Sequence, residues 1–150
     1  MANAHSSMQR DLVYIETLKM LKARYCRYVD TKQWDELGRL LASDPLITFE
    51  NAEGAIIYQF STAKDFVESC LILEKAVSIH HLHNAEIEIL SESTAKAIWA
   101  MEDRIYFSPA IESPFKTLHG YGHYHETYLM EMGEWKIKSL LLKRSVLDIR

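Results

Sequence analysis

The chain has 150 residues, of which 48% are hydrophobic, and this size and composition predict one domain with a substantial core over residues 1–150. Its formal net charge of −4 comes from interspersed acids and bases, so no basic block indicates a nucleic-acid partner. No signal-peptide pattern and no apolar run long enough to cross a bilayer is present, which predicts a cytoplasmic protein without a membrane partner.

The first part of the chain has helical periodicity. Over residues 11–29 apolar side chains recur at steps of three and four, which predicts a long amphipathic helix. Residues 1–8 before it are expected to form a loose tail. A second helix is predicted over residues 33–42, and Asp44-Pro45 ends it because the residue before proline avoids the helical region.

A hairpin and a third helix are predicted next. Two short apolar stretches, residues 46–50 and 55–60, flank Asn51-Ala52-Glu53-Gly54, in which asparagine and glycine favour a turn. Ser61 or Thr62 then suits the N-cap of a helix.

The second half of the chain has strand periodicity. Long alternating segments separated by Ser, Pro and Gly predict an antiparallel meander over residues 78–90, 95–107, 116–130 and 135–147. Helices followed by a long antiparallel sheet indicate an α+β fold. Because strands of this length curve, we expect a cone-shaped sheet wrapped around the N-terminal helices and enclosing an apolar cavity.

Asp30 lies where the first predicted helix ends. Its simplest role is to cap the second helix. Strand alternation, however, offers a partner, because it places His80 and Asn84 on one face of a strand and His81 and His83 on the other. An aspartate that orients a histidine is a general-base arrangement, so Asp30 with His80 is a candidate proton-transfer pair. A single strand histidine is nevertheless more often structural than catalytic.

Two His-x-His pairs suggest a different chemistry. His81 with His83, and His123 with His125, each aim two imidazoles to one side of a strand, as in metal-binding β-barrels. The helical pattern in the first half of the chain does not fit an all-β barrel, so metal binding ranks third among the hypotheses and no metal site is predicted. Whether these four histidines are structural or functional stays open.

Charged residues within apolar strands are further candidates. Asp103 shares a predicted face with Trp99 and Met101, where a carboxylate must be paired or neutral. Arg144 follows a run of leucines, so either it or its neighbour Lys143 must face inward or toward a partner subunit. Asp103 and Arg144 could pair across the sheet, either as structure or as part of a site.

Alternating glycines mark the third long strand. Gly120 and Gly122 alternate with bulky residues, which indicates a bend or clearance for a ligand, and Tyr124 follows on the same face. We therefore expect Tyr124, Gly122, Trp99 and Met101 to contact a substrate.

Five segments resemble SnoaL-like domains of the nuclear transport factor 2-like superfamily, most of all the branch of scytalone dehydratase, bacterial bile-acid 7α-dehydratase and hexachlorocyclohexane dehydrochlorinase. The resemblance covers roughly residues 9–147. It rests on DTKQWD at 30–35, IH at 79–80 with Asn84, WAMED at 99–103, GYGHY at 120–124 and GEWKI at 133–137. It implies a conical α+β domain with a hydrophobic cavity, no cofactor and a homodimeric or homotrimeric assembly.

The same resemblance implies roles for individual residues. The lyases of this family use an Asp–His pair, whose positions match Asp30 and His80. The bile-acid enzyme adds a tyrosine, an acid and an arginine, which match Tyr25, Asp103 and Arg144. Scytalone dehydratase has a tyrosine immediately before the aspartate, where this chain has a valine, so that contact to a substrate carbonyl is not carried over.

These expectations favour a cofactor-independent lyase or isomerase that acts on a small, apolar, oxygenated molecule such as a steroid, terpenoid or polyketide. His80 would remove a proton α to a carbonyl, Asp30 would fix the tautomer of His80, and Tyr25 would polarise the carbonyl. Asp103 and Arg144 would assist a leaving hydroxyl or bind a substrate carboxylate. The alternative is a non-catalytic ligand-binding or dimerisation module of the same fold, such as the small subunit of an aromatic-ring dioxygenase.

Overall fold

The structure, a computed structural model, describes residues 2–110 and 113–150. Its helices are α1 Ala2–Asp30, α2 Trp34–Arg39 and α3 Ala63–Cys70, followed by a 3-10 turn at Leu71–Leu73. The strands are β1 Leu41–Glu50, β2 Ile56–Phe60, β3 Val77–Ile89, β4 Thr94–Tyr106, β5 Thr117–Glu131 and β6 Glu134–Ile149. Within the described ranges these six strands form one curved, unclosed sheet in the order β2-β1-β6-β5-β4-β3, and α1 contacts β3 and β6.

The predicted meander is confirmed. Strands β3 to β6 pair antiparallel in chain order, as do β1 and β2. The pairing of β1 with β6 is parallel and was not predicted, because it joins segments far apart in the sequence. The α+β cone expected from the sequence is the fold observed. No helix in the described part of the chain is long and apolar enough to cross a bilayer.

Helix α1 is longer than predicted. It begins at Ala2, so residues 2–8, which were expected to form a loose tail, are part of the helix. This segment contains neither glycine nor proline, and extending an existing helix costs much less than starting one. The buried stripe of α1 includes Leu18, Leu21, Tyr25, Cys26 and Val29.

The second helix is shorter than predicted. It ends at Arg39, and the chain is already a strand at Leu41, although helical periodicity continued to residue 42. The carbonyl of Leu40 accepts the N–H of Ile137 at 2.8 Å, so pairing with β6 decides the conformation here. Pro45 lies in the register shift that follows Leu41, where the regular ladder is interrupted and its missing N–H is tolerated.

The hairpin turn and the third helix are confirmed. Asn51 Oδ1 accepts the backbone N–H of Ala55 at 2.8 Å, and Gly54 has the positive φ of 82° that glycine tolerates. Thr62 caps α3, since its hydroxyl oxygen accepts the N–H of Asp65 at 3.1 Å.

A bulge interrupts the alternation of β3. The register shifts between Leu82 and Ala85, so two residues there oppose one residue of β4. As a result Asn84 is exposed and Ala85 packs against the core. The prediction that Asn84 shares the face of His80 was therefore wrong, whereas His80 itself precedes the bulge and keeps its predicted face.

Candidate active site

Asp30 and His80 are in direct contact at the end of α1. His80 Nδ1 is 2.6 Å from Asp30 Oδ1, and Asp30 Oδ2 accepts the backbone N–H of His80 at 2.9 Å. One carboxylate therefore holds both the ring and the backbone of the histidine. A ring that donates its Nδ1 hydrogen to Asp30 keeps Nε2 free as a proton acceptor. The predicted contact of this pair is confirmed.

The simpler role predicted for Asp30 is not observed. The N-cap of α2 is Gln33, which makes no side-chain capping hydrogen bond. Both carboxylate oxygens of Asp30 bind His80 instead. Asp30 thus binds His80 and does not cap α2.

Asp103 and Arg144 form a second pair next to His80. The guanidinium of Arg144 donates from Nη1 and Nη2 to the two oxygens of Asp103 at 2.5 and 2.8 Å. Asp103 Oδ2 is 3.9 Å from His80 Nε2, so the imidazole lies between two carboxylates. Burial lowers the pKa of Arg144, but the hydrogen bonds and charge of Asp103 outweigh it and the pKa is raised. Arg144 therefore stays charged and neutralises Asp103.

The alternating glycines make room for protein atoms. A Cβ on Gly120 would lie 2.1 Å from Nη1 of Arg144 and 2.7 Å from Oδ1 of Asp103. A Cβ on Gly122 would lie 2.2 Å from the backbone carbonyl oxygen of Lys143. The clearance that the sequence indicated is thus used by the ion pair and by β6, and Gly122 is not part of the pocket wall.

A pocket of about 340 Å³ opens beside these pairs. Much of its lining is apolar, including Phe49, Phe60, Phe66 and Leu142. Its polar and ionisable lining residues are Tyr25, Glu50, Tyr58, Ser69, Cys70, His80, Asp103, Tyr124 and Arg144. A larger groove of about 690 Å³ is formed by other parts of β3 to β6 and contains none of the predicted catalytic residues. The smaller pocket is therefore the candidate site.

Trp99 and Met101 lie in the core next to this pocket rather than in its lining. Trp99 Nε1 donates to the hydroxyl of Tyr128 at 2.9 Å, and Met101 Sδ lies 3.9 Å from Arg144 Nη1. The alternation of β4 correctly predicted that Trp99 and Met101 face inward, but it did not predict that they lie in the core beyond the pocket wall. Of the four residues predicted to contact a substrate, Tyr124 lines the pocket.

The remaining histidines do not converge on the pocket. His81, His83 and His123 are exposed, and His125 lines the separate groove. His119 Nε2 is 2.9 Å from Glu102 Oε1, away from the Asp30–His80 pair. Among residues 2–110 and 113–150, no group of three His, Cys, Asp or Glu side chains is arranged to hold a metal ion.

Two buried charges were missed by the sequence analysis. The side chains of Lys22 and Glu126 are both 0% exposed and form an ion pair. Lys22 Nζ also lies 3.8 Å from the ring centroid of Tyr25 and 3.6 Å from that of Tyr124. A signal was present, because Lys22 falls within the apolar stripe of α1 and Glu126 occupies an inward position on β5.

Burial keeps the hydroxyls and the thiol of this region neutral. It raises the pKa of Tyr25 and Tyr124 well above the ordinary value, so both phenols remain hydrogen-bond donors. Burial also raises the pKa of Cys70, which lines the pocket, to about 11. The tyrosines can therefore donate to a substrate oxygen, and Cys70 is not an activated nucleophile.

Comparison with known proteins identifies the family. Residues 10–140 match the SnoaL-like domain. The chain belongs to the SnoaL-like domain family. A probable cyclase of Gibberella zeae is 31% identical over 132 residues, which cover 82% of this chain and 85% of that protein.

Solved structures share the fold at low sequence identity. A protein of Novosphingobium aromaticivorans assigned as a scytalone dehydratase has a TM-score of 0.82 at 18% identity, covering 95% of this chain and 91% of that one. A protein of the same species assigned as the beta subunit of an aromatic-ring-hydroxylating dioxygenase has a TM-score of 0.76 at 15% identity, covering 93% and 94%. Because this SnoaL-like fold occurs in both, only the site can distinguish catalysis from a scaffold role.

Proposed function

We propose that this SnoaL-like protein is a cofactor-independent lyase or isomerase that removes a proton next to a carbonyl group. The observation that carries the proposal is the Asp30–His80 pair, in which Asp30 holds Nδ1 and the ring lines an apolar pocket. A neutral imidazole with a fixed tautomer is a general base near neutral pH.

Five residues at the pocket and Asp30 beside it have roles in this chemistry. His80 Nε2 takes the proton, and Asp30 stabilises the imidazolium that forms. Tyr25 and Tyr124 donate hydrogen bonds to the carbonyl oxygen as it becomes negative. Arg144 uses two of its five N–H groups on Asp103 and keeps others for a leaving hydroxyl or a substrate carboxylate.

The pocket lining supports a small, largely apolar substrate. Its wall combines the apolar rings of Phe49, Phe60 and Phe66 with polar residues that include His80 and Arg144. This suits an oxygenated steroid, terpenoid or polyketide, in which a carbonyl is attached to an apolar skeleton. Proton transfer next to a carbonyl also fits the names of two relatives, a cyclase and a dehydratase.

A proton-exchange assay tests the proposal without knowledge of the natural substrate. Cyclic ketones and β-hydroxy ketones are incubated with the protein in D2O, and mass spectrometry measures deuterium at the α-carbon and loss of water. We expect His80→Ala to lower the exchange rate by about a hundredfold or more, as is typical for loss of a general base. The matched control is His83→Ala, an exposed histidine on the same strand, and it should exchange at the wild-type rate.

Two results would contradict the proposal. Equal exchange by wild type and His80→Ala would remove His80 as the base. Binding of these ketones without exchange of any of them would favour the alternative, a non-catalytic module of the same fold. The expected homodimer or homotrimer stays a prediction, which light scattering on the purified protein would test.

A further inference from the structure

The Lys22–Glu126 pair is buried beneath the two pocket tyrosines. Removing both charges from water is costly, and an apolar pair of similar volume is often equally stable or more stable. Stability alone therefore gives no reason for an ion pair at this place. The contacts of Lys22 with the two pocket tyrosines indicate a role in the pocket instead.

The ammonium of Lys22 fits between two aromatic rings. Its Nζ lies 3.8 Å from the ring centroid of Tyr25 and 3.6 Å from that of Tyr124, both distances typical of a cation–π contact. The two rings meet edge to face at 75°, with centroids 6.1 Å apart. One cation thus contacts both rings at the same time and restricts how each of them can turn.

A chain of hydrogen bonds fixes this cation. Glu126 Oε1 binds Lys22, and Glu126 Oε2 accepts the hydroxyl hydrogen of Tyr128. The hydroxyl of Tyr128 in turn accepts from Trp99 Nε1 at 2.9 Å. Lys22 is therefore anchored to the sheet through groups that are themselves fully buried.

The hydroxyls of Tyr25 and Tyr124 are free to bind a ligand. Neither hydroxyl has a hydrogen-bond partner among residues 2–110 and 113–150, and both residues line the pocket. In the same ranges, the one fully buried side-chain polar atom without a partner is Trp135 Nε1, so the tyrosine hydroxyls keep access to the pocket. Arg144 lines the same pocket as both tyrosines.

We propose that Lys22, anchored by Glu126, is a positioning residue that holds Tyr25 and Tyr124 as a pair of hydrogen-bond donors to one negatively charged substrate oxygen. The inference rests on the proposed function. When His80 takes the α-proton, the C–H electron pair forms the C=C bond of an enolate and the carbonyl π pair moves to oxygen. A cation on the face of a phenol withdraws electron density from it, which strengthens the hydroxyl as a donor to that oxygen.

Binding of a phenolate tests the donor pair independently of turnover. The probe is 4-nitrophenol, whose absorbance distinguishes phenolate from phenol, and the neutral comparison is 4-nitrotoluene, which has a similar shape but no oxygen in that place. We expect wild type to prefer the phenolate. Tyr25→Phe and Tyr124→Phe should each weaken phenolate binding by about tenfold and 4-nitrotoluene binding by less than about twofold.

The variant that tests Lys22 replaces both buried charges at similar volume. Lys22→Met with Glu126→Gln should keep or raise the urea midpoint and weaken phenolate binding by about tenfold, with 4-nitrotoluene binding unchanged. Its matched control is Lys19→Met with Glu16→Gln, which removes an exposed ion pair from the same helix and should leave both probes unaffected. If the double variant does not fold, Tyr128→Phe, which removes a hydrogen bond to Glu126 but keeps the Lys22–Glu126 ion pair, should show the same selective loss to a smaller degree.

The remaining outcomes overturn the inference. An equal loss of both probes would show that Lys22 and Glu126 only maintain the structure, and no loss of either would show that they do not position the tyrosines. Absence of a phenolate preference in wild type would also refute it. His80→Ala separates the two proposals, because it should abolish α-proton exchange while the dependence of phenolate binding on Lys22 persists.

Discussion

At the scale of single residues, Asp30 shows how a helix-terminal acid becomes part of a site. Its two oxygens accept from the backbone and from the ring of His80, at 2.9 and 2.6 Å. The backbone contact fixes where β3 passes the end of α1, and the ring contact selects the tautomer. A single side chain therefore links the fold to the proposed chemistry.

Replacing Asp30 by asparagine should change the tautomer of His80. The asparagine oxygen can accept the backbone N–H of His80, but its NH2 group then faces Nδ1 and favours a hydrogen on Nε2. We expect α-proton exchange to fall by about a hundredfold or more, and ¹⁵N NMR of the ring to show the hydrogen moving to Nε2. Asp35→Asn, at an exposed position of α2, is the control. An unchanged tautomer together with wild-type exchange would refute this role of Asp30.

The sequence predicted which side chains face inward, but it did not predict which of them reach the pocket and which lie in the core. Period-two alternation placed Asp103, Tyr124 and Trp99 on inward faces, and the structure agrees. Alternation does not distinguish a pocket wall from the packed core, so Trp99 was expected at the ligand. Lys22 falls within the apolar stripe of α1, but a lysine there can also extend its ammonium to solvent, and only its partner Glu126, 104 positions away, shows that it is buried.

At the scale of elements, the packing of the adjacent strands β4, β5 and β6 depends on Gly120, which has no side chain. Gly120 on β5 lies opposite Asp103 on β4, and the guanidinium of Arg144 from β6 covers the space where a Cβ would be. The ion pair that flanks His80 therefore depends on the absence of a side chain between its two strands.

Gly120→Ala should break this arrangement. Its Cβ would overlap Nη1 of Arg144 at 2.1 Å, so the guanidinium must move and leave Asp103 buried without its partner. We expect a loss of about 2 kcal/mol or more of unfolding free energy in urea titrations, together with slower α-proton exchange. Gly38→Ala is the control, because its Cβ would make an ordinary 3.5 Å contact with Val67 and alanine favours a helix. Equal stability of the two variants would contradict the proposed use of Gly120.

Element boundaries depended on non-local pairing that the sequence does not display. The turn at Asn51 and the cap at Thr62 use interactions within five residues, so their local signals sufficed. Leu41 has helical periodicity but pairs with Ile137 in the sheet. The bulge before Ala85 likewise follows from pairing with β4, because nothing in the strand pattern itself marks it.

At the scale of the whole molecule, burial of cysteine and tyrosine side chains makes the free energy of unfolding sensitive to alkaline pH. Burial raises the pKa of Cys26 from 9.0 to about 12 and that of Cys70 from 9.0 to about 11. The pKa values of Tyr25, Tyr124 and Tyr128 are raised in the same direction. In each case folding favours the protonated form.

The unfolding free energy should therefore fall as the pH rises above about 9. A group whose pKa is raised by folding contributes fully below its unfolded value, and this contribution is lost as the pH approaches the folded value. For Cys26 the loss at pH 10.5 relative to pH 8 is about 2 kcal/mol, measured by urea unfolding at both values under reducing conditions. Cys26→Ala should lower the difference between the two pH values by about that amount, even if it destabilises the protein at both. The exposed acid variant Asp35→Asn should leave the difference unchanged. A Cys26→Ala protein as sensitive to alkaline pH as wild type would mean that the thiol ionises as readily in the folded chain as in the unfolded one.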